Sequence, residues 1–105
     1  GDVYKRQVQA RQYASRLELD AETEILSKLA AYPDIIVRAA NAYEPHQIGN
    51  YLKELAALFH GWYNEHKVLN DDAELTQARL LLSVNVQQVL RNGLELLGVS
   101  APESM

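Results

Sequence analysis

The run Phe59-His60-Gly61-Trp62-Tyr63-Asn64-Glu65-His66-Lys67-Val68 closes an apolar-periodic stretch that Glu44-Pro45-His46 opens, and its spacing decides the fold. At 100° per residue, Ile48, Leu52, Leu55, Phe59, Trp62 and His66 fall within roughly 80° of one another, which predicts a helix with that stripe buried. Tyr63 sits on the edge of the stripe. His60, Asn64 and Lys67 continue from it toward solvent, so a phenol, an imidazole, an amide and an ammonium form one exposed row. A tyrosine ring offers a nucleobase a stacking face and its neighbours offer hydrogen bonds and charge, so the row could hold a splayed nucleotide. Packing is the more ordinary role for an aromatic at a stripe's edge, and the stretch alone favours that role.

Upstream, Tyr32-Pro33 and Glu44-Pro45 punctuate the chain in the same way. The residue before a proline avoids the α region, while proline suits the first helical position. These breaks predict one helix capped by Asp20 and running through Ala31, with Glu22 and Glu24 in its first turn and Ile25, Leu26 and Leu29 buried. They also predict a short helix whose apolar face is Ile35, Ile36, Ala39, Ala40 and Tyr43. Val8 to Leu19 is weakly periodic and reads as the tail of a helix or an ordered connector.

Downstream, Asp71-Asp72 is placed to cap a last helix, Ala73 to Leu97, which Gly98 ends from the C′ position. Leu75, Ala78, Leu82, Val86, Val89, Leu90, Gly93 and Leu97 share one side of it. Leu80 and Val84 point the other way, as expected of a helix covered on both sides in the middle of a bundle. Arg79 lies near the main stripe, so burial would require a carboxylate or a helix-end carbonyl beside it. Gly49 and Gly61 each cost the central helix ~1 kcal/mol relative to alanine, which predicts a close approach by another backbone at each. No segment alternates convincingly with period two. The pattern is that of an all-α bundle of four to five helices.

A chain of 105 residues, 48% of them hydrophobic, can build one core but hardly two. Asp2-Val3-Tyr4-Lys5-Arg6-Gln7 resembles the translation of a transposase adaptor used in sequencing-library preparation. Residues 1–7 are therefore read as a non-native scar and residues 8–105 as a single domain. The absence of cysteine excludes disulfides and thiolate chemistry. No apolar run approaches the ~20 residues that cross a bilayer, and the expectation is a soluble, cytoplasmic protein without a membrane partner. A formal charge of −4 excludes a generic polyanion binder, since non-specific nucleic-acid affinity comes largely from clustered Lys and Arg.

An enzyme site needs converging titratable groups, and none of the usual patterns is present. His60 and His66 are six apart, about 120° on a helical wheel, so they do not form a His-x-x-x-His metal pair with each other or with His46. No metal site is expected. Asp71-Asp72 is explained by capping. No Gly-x-x-x-x-Gly-Lys loop, Gly-x-Ser-x-Gly elbow or Gly-x-Gly-x-x-Gly turn occurs. No catalytic residue is therefore assigned.

The order Tyr32-Pro33-Asp34, Glu44-Pro45-His46, Tyr51-Leu52, Leu55-Ala56, Phe59-His60, Tyr63-Asn64, Val68-Leu69, Ala78-Arg79-Leu80, Gln88-Val89-Leu90 and Asn92-Gly93-Leu94 carries a resemblance. Together with Leu97-Gly98-Val99-Ser100-Ala101-Pro102-Glu103 and Met105, it closely resembles the C-terminal anticodon-binding (DALR-type) domain of bacterial arginyl-tRNA synthetases. The likeness runs from about Leu29 onward. It implies an all-helical bundle that recognises the anticodon loop of arginine tRNA. In such a protein a class I catalytic domain in cis uses ATP and Mg to activate arginine and charge the tRNA, and no cofactor is expected in the present segment. A further helix with a Tyr-Ala-His-Ala-Arg type motif is expected just before Val8 in family members and is not found here, so the RNA surface is expected to be incomplete.

By matching position, Tyr63 resembles the family's anticodon-stacking tyrosine, with polar support from His60 and Asn64. Lys67 resembles a position near the RNA that is often basic, and Met105 the terminal residue that reaches toward the anticodon loop. Pro33, Pro45, His46 and Gly93 look architectural, and Arg79 is expected to form a structural ion pair. The chain is expected to be monomeric. The rival from another class is a non-catalytic helical module that binds protein, which an acidic bundle with exposed aromatics permits.

Overall fold

A computed structural model describes residues 17, 19–66 and 68–100. Four helices carry most of them: α1 (Asp20–Ala30), α2 (Tyr32–Ala42), α3 (His46–Glu65) and α4 (Ala73–Ser100). No strand occurs among the described residues, so the fold is all-α. α3 packs against the other three helices, and α1 also touches α2 and α4. The proposed scar, and nearly all of the connector expected over Val8 to Leu19, lie outside the described residues.

α1 begins differently from its sequence expectation. Leu19 is the N-cap and Asp20 the first helical residue. Leucine has no side-chain acceptor, so the start is held from the other direction: the Glu22 carboxylate reaches back to accept the Leu19 N–H at 3.3 Å. Only Ala31, still in the α region, separates α1 from α2, and Pro33 falls in the first turn of α2, where a missing N–H costs nothing.

α2 ends at Tyr43, whose φ of 54° and ψ of 41° lie in the left-handed region. The Glu44 N–H then bonds the Ala39 carbonyl at 2.9 Å, satisfying an end carbonyl in the Schellman manner. Because the chain changes hand there, Tyr43 does not join the apolar face of α2; the residue is 92% exposed. Ala40 is exposed as well. Pro45 is the N-cap of α3 and His46 its exposed first residue.

The Asp72 side chain accepts from the N–H groups of Glu74 (3.1 Å) and Leu75 (3.2 Å), capping α4 as expected. Gly98 does not stop that helix. No described glycine has positive φ, so Gly98 continues the α-helix to Ser100.

The core gathers Leu17, Ile25, Ala39, Ile48, Leu52, Leu55, Trp62, Ala78, Leu82 and Val86. Tyr51, which the wheel leaves off the stripe, also belongs to it. It lies between α3 and the α1–α2 corner, its hydroxyl donating to the Lys28 carbonyl and its ring 5.6 Å from that of Tyr32. Tyr32 in turn donates to the Asn92 side chain, tying the start of α2 to α4. Burial first, and the neighbouring Tyr32 second, push the Tyr51 phenol up from 10.0 to about 12. Between those values the folded state holds a proton that the unfolded state has lost, so stability falls as pH rises from about 10 to about 12. Tyr51→Phe should remove that part of the alkaline decline in denaturant melts. Parallel curves for the two proteins over this window would contradict it.

α4 is covered on one side only by the described helices. Leu80 and Val84 are 40% and 47% exposed, which corrects the expectation of a helix enclosed on both sides. The glycines of α3 are also not what their helix cost suggested. A Cβ on Gly61 would meet nothing within 4 Å, and one on Gly49 only the Leu97 Cδ1 at 3.9 Å. The close approach is at Gly93, where an added Cβ would lie 2.6 Å from Leu52 Cδ2 and 2.8 Å from Cδ1. Gly61→Ala should therefore stabilise by up to ~1 kcal/mol through helix propensity. The same gain in Gly93→Ala is outweighed by the ~1–3 kcal/mol of overpacking a buried leucine, for a net loss of about 1 kcal/mol. Denaturant melts giving both variants the same sign would contradict this contrast.

Candidate nucleic-acid interface

The last two turns of α3 separate a buried face from an exposed one. On the buried face Trp62 is 1% exposed, and its indole N–H donates to Glu22 Oε2 at 2.9 Å. The same carboxylate oxygen accepts from Arg79 Nε at 3.0 Å. Glu22 is fully enclosed and Arg79 is 8% exposed. Three helices thus meet on one buried carboxylate: α1 supplies the acceptor, α3 the indole and α4 the guanidinium. Arg79 has the carboxylate partner its wheel position demands. Its identity was not legible, because an acid in the first turn of a helix is accounted for by the dipole alone.

On the exposed face Tyr63 is 57% exposed. Its ring leans on Phe59 with centroids 5.9 Å apart and planes 36° apart. Phe59 leans in turn on Trp62 at 5.8 Å. One turn before Asn64, His60 Nε2 lies 3.1 Å from the Asn64 Nδ2, and both side chains are open to solvent. With its proton on Nδ1, His60 accepts this bond, leaving the Asn64 carbonyl oxygen and its second amide hydrogen for a ligand. The sequence-predicted row of Tyr63, His60 and Asn64 is therefore assembled on one exposed side of α3. Lys67 and Met105 lie outside the described residues.

His66 is not part of the helical stripe. It follows the end of α3 in extended conformation, with φ of −129° and ψ of 137°, and its side chain is 28% exposed. The chain turns there, which leaves Tyr63 in the last turn of the helix. Pro33, Pro45 and His46 stand at helix starts and Gly93 at the α3–α4 contact. The exposed row does not include them.

The chemistry this surface offers is binding: one aromatic face, with an amide and an imidazole beside it. Among the described residues no group of three His, Cys, Asp or Glu side chains is placed to hold a metal ion. No described helix is long and apolar enough to cross a membrane.

The DALR anticodon binding domain family matches residues 3–105. An arginine–tRNA ligase of Acinetobacter baylyi is 89% identical over 99 residues, covering 94% of this chain and 17% of the relative. One from Acinetobacter baumannii is 88% identical over 96 residues, 91% of this chain and 16% of the relative. One from a Psychrobacter species is 48% identical over 115 residues, 99% of this chain and 19% of the relative. The chain thus spans about a sixth of the length of the curated relatives it matches. No solved structure matches.

Proposed function

The chain belongs to the DALR anticodon binding domain family, and from that premise we propose that it recognises the anticodon loop of arginine tRNA, with a nucleobase stacked on Tyr63. His60 and Asn64 give that base hydrogen-bonding partners, and Lys67 and Met105 add contacts to the same loop. The observation that supports this most is the exposed Tyr63 ring, braced by Phe59 and flanked by the His60–Asn64 pair. A ring in the interior could not receive a base.

In this reading the segment serves a parent ligase in the cytoplasm, working as a monomer. The parent's catalytic domain binds ATP and Mg and attaches arginine to the tRNA, while this domain binds no cofactor and supplies no catalytic group. Its part is to hold the anticodon end of the tRNA, converting a property of the loop into binding energy for the whole molecule. The scattered charge of the chain, −4 in sum, is consistent with a local site that reads bases, since phosphate attraction of the non-specific kind needs clustered cations.

The test is competition between arginine tRNA and an unrelated tRNA for the full-length parent, at low and moderate salt. Preferential binding of arginine tRNA that persists at moderate salt is expected, because base contacts survive screening better than phosphate contacts. Equal and weak binding of both would overturn the reading and favour a helical module that binds protein.

A further inference from the structure

We infer that Phe59 is a positioning residue for the anticodon site: its ring props the Tyr63 ring on the surface of α3, so that a base meets a stacking platform already formed. The inference rests on the Tyr63 reading and goes beyond it, because Phe59 itself need not touch RNA.

The geometry that supports it is a chain of contacts running from the interior to the surface. Glu22, fully enclosed, accepts from both Arg79 and the Trp62 indole, so Trp62 is pinned by a hydrogen bond as well as by packing. Phe59 rests on that indole with centroids 5.8 Å apart and is itself partly buried against the core. Tyr63, one helical turn further on, rests on Phe59 at 5.9 Å. Helical side chains lean toward the preceding turn, so Phe59 is the residue over which the Tyr63 ring lies. Tyr63 is 57% exposed, and among the described residues its hydroxyl has no hydrogen-bond partner. Among the described residues, the ring contact with Phe59 is what restrains its orientation. An exposed side chain that must be immobilised on binding costs affinity, and a ring already held costs less.

A double-mutant cycle in the full-length parent with arginine tRNA separates positioning from general support. Phe59→Leu keeps an apolar side chain against the core and removes the ring. It should weaken tRNA binding about three- to tenfold, as expected for losing the restraint on one side chain. Phe59→Tyr, which keeps a ring, should restore binding. In a Tyr63→Ala background Phe59→Leu should have no further effect, since nothing remains to be positioned.

An equal loss in both backgrounds would show that Phe59 acts through the fold at large, and would overturn the inference. So would an unchanged affinity in Phe59→Leu alongside a clear loss in Tyr63→Ala. If Tyr63→Ala itself binds as tightly as wild type, the stacking reading fails first, and the inference fails with it. Circular dichroism and denaturant melts on each variant identify a folded protein before its affinity is compared.

Discussion

Replacing Glu22 with glutamine should lower the unfolding free energy by about 1.5–3 kcal/mol, the range for weakening a hydrogen bond to a charged group inside a protein. The Arg79 side chain is 10% exposed and its Nε lies 3.0 Å from the Glu22 carboxylate, so the substitution removes the negative charge that this nitrogen faces. Glutamine can still accept from the Trp62 indole, so the loss reports the charge more than the hydrogen bond. Adding Arg79→Met to Glu22→Gln should cost less than the two single losses summed, because both substitutions act on the same pair. Guanidinium melts of the two single variants and the double variant measure this. A loss below 1 kcal/mol in Glu22→Gln, or additive losses in the double variant, would show that the pair is not what joins α1 to α4.

Tyr63→Ala should weaken binding of arginine tRNA to the full-length parent by about ten- to a hundredfold, since base–aromatic stacking is worth roughly 1–3 kcal/mol per base. Little of this should come from the fold. Tyr63 is 57% exposed and stands outside the core cluster, so its removal changes stability far less than the loss of Trp62 beside it would. Tyr63→Phe should bind within a few-fold of wild type, because stacking uses the ring and not the hydroxyl. The two substitutions together separate a stacking platform from a hydrogen-bonding phenol. Fluorescence anisotropy with labelled tRNA reads both, and a folded Tyr63→Ala variant with wild-type affinity would remove the role assigned to this residue.

The punctuation of the fold was legible because it depends on local chemistry. Pro33 and Pro45 forbid a continuous helix at fixed places, and the Asp72 carboxylate satisfies N–H groups that a helix start leaves unpaired. The buried stripes of α3 and α4 follow from their 100° spacing. Local rules failed where a residue's neighbours in space decide. Tyr43 continues the α2 pattern on paper, but the chain has already turned left-handed there. Gly98 could cap a helix, yet it lies within one.

The site was legible to a similar depth. Tyr63, His60 and Asn64 share a helix face, so spacing alone brought them together. Glu22 is 40 residues from Trp62 and 57 from Arg79, and only packing brings the three into contact. One signal did exist: an interior tryptophan N–H and a stripe-edge arginine both ask for an acceptor. The choice among 14 acidic residues could not be made from helical wheels.

The central claim is that a nucleobase of the anticodon loop lies against the Tyr63 ring, and the most direct measurement places a fluorescent purine analogue in that loop. At saturating protein, wild type and Tyr63→Phe should change the emission of the analogue at one loop position, and Tyr63→Ala should leave it near the value of free tRNA. The same emission change in all three proteins would mean that the base stacks elsewhere and that Tyr63 is a surface aromatic with no part in reading RNA.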